Sequence, residues 1–408
     1  MKFNIRFDNE NTYIDAIPEN DNENFGLRAQ GPYSKLNLIN KTLIINYIPE
    51  KQLHPDIIGA LCLTAFYPFI KYSATMPFPV SKTFTEGLNM ELLAQHDLID
   101  GVYKAIKPII ITNIDANLEI YKSGTNTVIA YGGGMDSTAI ACLFPEFILT
   151  HTSNINESQA NKNVMKNFVM RNLTNKSYIV DSNCTQLTTP GGFTTFTNIF
   201  LVPLLLTSDL SIKNICYGEI LESACLMNGK KYFPQFNPKS RNKWIRFYNK
   251  IGLNIFSPTA GCSELITSKI LDEFNLANKV LYCEQDNGKP CHKCTKCLRK
   301  VLELNYHGNN LSYEKFNKDN ITSFLKTRPL YFSNVFIETI KNNKLPEYIK
   351  SSINDLQHIN TQYFNKIYSK SFIYFPEDIK EMLIERLSKY ADIMSEDENK
   401  YLESWNFM

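Results

Sequence analysis

The chain has 408 residues, of which 43% are hydrophobic and 21% charged; this excludes wholesale disorder and is long for one compact core. Its 43 basic and 41 acidic side chains leave a formal net charge of +2, which removes the bulk electrostatic case for a nucleic-acid partner. The longest apolar run, Ile199 to Leu206, is too short to span a membrane, the first residues lack the apolar core of a secretory signal, and a cytoplasmic location with reduced thiols is expected.

Residues 1–125 read as an α+β accessory domain. The runs TYIDAI, LNLIN and TLIINYI suggest strands, and HPDIIGALCLTAFYPFIKY and NMELLAQHDLIDGVYKAI suggest helices, with Pro55 suited to the first turn of the earlier one. No catalytic pattern stands out here; a recognition or dimerisation role, including a homodimer, fits.

From Thr127 the pattern changes to strands alternating with helices. TVIAY, FILTH, SYIVD, NICYG and NIFSP are strand candidates. DSTAIACLF offers a helical face of Ala139, Ile140, Leu143 and Phe144, and ESQANKNVMKNFVMRNL one of Val164, Phe168, Val169 and Leu173. This alternation implies an α/β domain with a parallel sheet over residues 126–305, and the spacing in runs such as IKEMLIERLSKYADIM implies a mainly helical region over 306–408.

Two motifs carry chemistry. The first is the segment after TVIAY: Gly132, Gly133, Gly134, Met135, Asp136, Ser137 and Thr138. Glycines let the backbone turn tightly and approach a ligand, and the helix that follows offers free N–H groups and a positive dipole end to phosphate oxygens. Ser137 and Thr138 add hydroxyl donors, and Asp136 is placed to hold Mg2+. The spacing matches neither GxxxxGK[ST] nor GxGxxG. The second is a C-x7-C-x2-C-x2-C block of Cys283, Cys291, Cys294 and Cys297. Four thiolates at this spacing can close a tetrahedral Zn2+ site with no open position, hence a structural one. His292 is a rival ligand, and an iron–sulfur cluster is an alternative occupant.

GGGMDST resembles the SGGxDS loop of the PP-loop ATP pyrophosphatases, which implies an adenine nucleotide alpha hydrolase-like, Rossmann-like fold and ATP as substrate. Gly132 stands where that family has its first serine. The loop together with the cysteine block resembles the 7-cyano-7-deazaguanine synthase (QueC-like) family over residues 127–303, where Arg299 and Lys300 follow the cysteines as an arginine does in the family. The resemblance implies adenylation of a 7-carboxy-7-deazaguanine-like carboxylate and transfer to an amine. It points to Lys269, in FSPTAGCSELITSK, as the cation on the α-phosphate or acyl oxygen. It also points to Gly191, Gly192 and Phe193 of TTPGGFTTF and Glu219 of YGEILESA as substrate contacts. Long relatives that resemble this family occur in bacterial antiviral gene clusters, where the activated deazaguanine can be joined to a protein amine, and the extra regions here imply such a partner protein as acceptor. Synthesis of the free nitrile from ammonia is the alternative. Thiolation of tRNA is a second, and would use Cys184, Cys216, Cys225 or Cys262.

Overall fold

The computed structural model describes residues 1–27, 35–98, 109–233, 244–280, 283 and 290–407. Thirteen strands are present among them: β1 (Lys2–Phe7), β2 (Thr12–Ile17), β3 (Phe25–Leu27), β4 (Lys35–Leu38), β5 (Thr42–Ile45), β6 (Ser73–Ser81), β7 (Ile110–Asp115), β8 (Asn126–Ala130), β9 (Ile148–Asn154), β10 (Ser177–Ser182), β11 (Thr188–Thr189), β12 (Ile212–Tyr217) and β13 (Asn254–Phe256). Ten form one sheet in the order β13-β12-β8-β9-β10-β5-β2-β1-β6-β7, and β11-β4-β3 form a second. The pairs β12/β13, β8/β9, β9/β10, β1/β6 and β6/β7 are parallel. The mostly parallel α/β sheet expected from the alternating pattern is therefore present. Within its β10-β9-β8-β12-β13 block the order reverses between β8 and β12, the kind of switch point outside whose strand ends α/β folds bind ligands.

The sheet does not stop at residue 125. β10 accepts β5 in antiparallel pairing, with Ser182 opposite Ile45. Asn183 locks the junction: its Oδ1 accepts from Ile44 N–H at 2.8 Å and its Nδ2 donates to the Thr42 carbonyl at 2.9 Å. The alternating buried positions Thr12, Ile14 and Ala16 of β2 show why these short strands need the larger sheet, since a half-apolar ribbon is marginal alone. The chain's two compact units are Met1–Gly132 with Glu146–Cys216 and Pro238–Phe256, and Gly133–Pro145 with Tyr217–Asn237 and Ser257–Met408. The divisions expected at 125 and 305 do not coincide with them.

The helices are α1 (Pro55–Phe66), α2 (Lys82–Leu98), α3 (Met135–Leu143), α4 (Gln159–Asn172), α5 (Leu201–Leu205), α6 (Leu221–Ala224), α7 (Ile245–Lys250), α8 (Glu264–Glu273), α9 (Thr295–Tyr306), α10 (Lys318–Lys326), α11 (Ser333–Asn342), α12 (Glu347–Lys350), α13 (Lys380–Ser388) and α14 (Glu396–Glu403). α1 starts with His54, whose Nδ1 accepts from Asp56 N–H at 3.2 Å, and with Pro55 in its first turn as its sequence requires. The helix expected to end at residue 106 is α2; residues 99–108 lie outside the described ones. On α4, Phe168 and Val169 are buried, but Val164 is 39% exposed, so the expected apolar face is only half used. The region after residue 306 is helical, as its spacing implies. No helix among the described residues is long and apolar enough to cross a membrane.

Candidate functional site

β8 runs through Gly132 into Gly133, whose φ of 78° lies in the left-handed region that glycine tolerates best. Gly134 caps α3 without any side-chain bond to the first turn. A side chain at Gly132 or Gly134 would meet nothing within 4 Å. The loop is thus open above, and the first-turn N–H groups of α3 have no side-chain cap, which is the arrangement an anion uses.

Within the second unit the loop is held from below. A Cβ at Gly218 would lie 2.5 Å from Ser137 N and 2.9 Å from its Cα, so only glycine lets the segment after β12 touch the start of α3. The hydroxyls of Ser137 and Thr138 do not point out of the loop as expected. Both are buried and donate to the Gly134 carbonyl, at 3.2 and 2.7 Å, because a helical Ser or Thr readily bonds the carbonyl one turn back. The N–H of Thr138 donates to the Gly134 carbonyl at 3.1 Å as well, so the N–H groups of Met135, Asp136 and Ser137 are the donors left at the start of α3 among the described residues.

Asp136 is partly exposed and receives Thr267 Oγ1 of α8 at 3.4 Å. Burial pushes its carboxyl above the usual range, and Lys300 opposes that. Lys300 and Arg299 lie on α9 in a buried ionic cluster. Glu264 Oε1 accepts from Lys300 Nζ at 2.5 Å and from Arg299 Nη2 at 3.1 Å; Lys300 Nζ also reaches Glu303 Oε2 at 3.0 Å. Burial alone would raise Glu264, but Arg299 and Lys300 outweigh it and hold the carboxyl down to about 2. Glu303 goes the other way, raised by burial and by the charge of Glu264. Arg299 also stacks on Phe332, its Cζ 3.5 Å from the ring centre.

Glu222 completes the cluster by accepting the first N–H of α8, from Glu264, at 3.1 Å and the Asn334 amide at 2.6 Å. Burial, then the charge of Glu264, pushes it up to about 8 from 4.5. Between these values the unfolded chain releases this proton and the folded chain keeps it. Stability therefore falls as pH rises through that window, by about 1.4 kcal/mol per pH unit. Glu222→Gln removes the titration while keeping the shape. It is expected to gain on the wild type by several kcal/mol between pH 5 and 8 in urea denaturation; parallel pH profiles would show that Glu222 is not the source.

The four cysteines come together. Their sulfurs all lie within 4.8 Å of one another, and Cys291 Sγ and Cys297 Sγ are 3.7 Å apart. A tetrahedral shell with Zn–S bonds of about 2.3 Å needs sulfurs about 3.8 Å apart, so the donor set fits a metal such as zinc. Cys294 caps α9, its Sγ accepting from Cys297 N–H at 3.4 Å. Burial works against the Cys291 thiolate, but the N–H groups of Lys293 and Cys294 prevail and draw that thiol down to about 6. His292 turns away at φ 53° and packs edge-on against Phe316, centroids 5.3 Å apart, which removes it as a rival ligand.

Lys269 is not brought to the loop. It is exposed and donates to the Tyr390 carbonyl at 2.8 Å. It lies two residues beyond Thr267, about 200° round α8. Glu219 is buried directly after Gly218, with its Oε2 accepting from Tyr217 Oη at 3.1 Å and its carbonyl accepting from Thr259 Oγ1 at 2.8 Å. Gly191, Gly192 and Phe193 belong to the first unit: Gly192 N–H donates to the Thr185 carbonyl at 2.7 Å, and Phe193 is 40% exposed. Sequence reading missed Gly218, Glu222, Glu264 and Glu303. The glycine at the end of a strand was the signal for the first; for the buried carboxylates there was none, because charged residues at helical spacing read as a solvated face.

A family model described as "Family of unknown function (DUF6395)" matches residues 243–406. No curated protein matches the chain.

Proposed function

We propose that this chain is an ATP-dependent carbon–nitrogen ligase of the PP-loop type, which adenylates a planar, deazapurine-like carboxylate and passes the acyl group to an amine, with a protein amine as acceptor. The observation that carries the reading is the open glycine loop feeding the N-terminus of α3, which has no side-chain cap, is contacted by Gly218 and carries Asp136 in its first turn. A carboxylate is a poor electrophile until its oxygen is made a leaving group, and ATP supplies that group as AMP. On this reading the α3 N–H groups bind the pyrophosphate oxygens, and Asp136 would hold Mg2+, which would supply charge neutralisation there. Glu264 keeps Arg299 and Lys300 charged and in place beside Asp136. Catalysis is then positioning and charge stabilisation. Zinc in the four-cysteine cluster would fix the start of α9, the helix that carries Arg299 and Lys300.

Thiolation is the weaker reading. Cys184, Cys216, Cys225 and Cys262 are all buried, and burial pushes the Cys184 thiol up to about 11 and those of Cys216 and Cys262 higher still, the reverse of an activated nucleophile.

The test is formation of AMP and pyrophosphate from ATP and 7-carboxy-7-deazaguanine, with ammonia or candidate proteins as acceptor. Asp136→Ala is expected to lower the rate by about a hundredfold or more while leaving the melting temperature nearly unchanged. A wild-type rate in that variant would overturn the assignment.

A further inference from the structure

The first unit contains a groove of about 390 Å³ between α4 and the face of β10, within the size range of small-molecule sites. A helix laid on a sheet ordinarily closes that space with apolar side chains. Among the described residues, α4 does so at Phe168 and Val169. Its neighbouring stripe of Lys162, Asn163, Lys166 and Met170 lines the groove, opposite the alternate β10 positions Ser177, Ile179 and Asp181. Polar groups thus stand where a core should close.

These groups are arranged as a site with spare donors. Lys162, only 15% exposed at its side chain, donates to Asp181 Oδ2 at 2.5 Å and to the Ile155 carbonyl at 3.1 Å, which leaves one of its three N–H bonds over. Lys166 has no acidic partner among the described residues. Ser153, 4% exposed as a residue, lines the floor of the groove, where its hydroxyl is reachable from the open space.

We propose that this groove binds a nucleoside monophosphate at a site separate from the glycine loop. Lys162 and Lys166, one helical turn apart, suit a phosphate dianion. Asp181 and the Asn163 amide can take sugar hydroxyls, Ser153 donates from the floor, and Met170 with Ile179 offers the apolar surface a base needs.

The experiment is titration calorimetry of the full chain with AMP, GMP, UMP and inorganic phosphate. At least one nucleotide is expected to bind at submillimolar concentration, about tenfold or more tighter than inorganic phosphate. Lys166→Glu and Ser153→Val should each weaken it by about tenfold or more, the worth of one charged or buried hydrogen bond. Lys166 is exposed, so its replacement leaves folding intact. Asp136→Ala should leave this binding unchanged, which separates it from any failure or success of the ATP reading. The proposal is overturned if no nucleotide binds at millimolar concentration, if inorganic phosphate binds as tightly, if binding survives Lys166→Glu, or if it disappears with Asp136→Ala.

Discussion

Replacing Cys294 with Ser is expected to take bound metal from about one zinc per chain to near zero, and to cost several kcal/mol of stability. Cys294 has two roles. Its sulfur is one of the four ligand atoms, and it accepts the Cys297 N–H that opens α9. The serine hydroxyl can still accept that N–H, but only three sulfurs remain to hold the metal that fixes the start of the helix carrying Arg299 and Lys300. Metal analysis and thermal melting should fall together in this variant. A double variant lacking Cys283 and Cys291 that still holds stoichiometric metal would show that the ion sits elsewhere.

The second large effect is at Glu264. Its carboxylate is shared by Arg299 and Lys300, and all three side chains are nearly sealed from solvent. Charges in such a place are tolerated only when paired. Glu264→Ala would leave two buried cations sharing the single carboxyl of Glu303, which burial still pushes towards its neutral form although the charge of Glu264 no longer does. The expected loss is about 3–5 kcal/mol, read as a lower urea midpoint at unchanged slope. Glu264→Gln, which can still accept one bond, should fall between the two. A loss below about 1 kcal/mol, the size of an exposed pair, would mean that water reaches the cluster.

These effects also mark what could be seen in the sequence. The strands TYIDAI and SYIVD are legible because alternation and β-branched content are local properties. The cysteine block is legible because short spacing constrains geometry by itself. Strand β1 was missed, since KFNIRF buries only Phe3 and reads as polar. Pairing is a further step that no local pattern encodes: Ile45 meets Ser182 through tertiary context alone. The same holds for the site. Gly133 and Asp136 announce themselves within seven residues, whereas Gly218 and Glu264 matter only once distant segments meet them. Lys269 is hard to place for the same reason, because a helical lysine near a motif gives no sign of which side of its helix faces inward, and here it donates to the Tyr390 carbonyl.

The junction between β5 and β10 has a consequence for synthesis. Ile44 and Asn183, which hold it together, are 139 residues apart. At translation rates of 5–20 residues per second, the gap corresponds to roughly 7–28 s. Throughout that interval β5 is on hand while the strand that covers its open side has yet to be made. An uncovered strand edge is a template for other chains, and this one stays open until Asn183 emerges and the sheet closes across the junction.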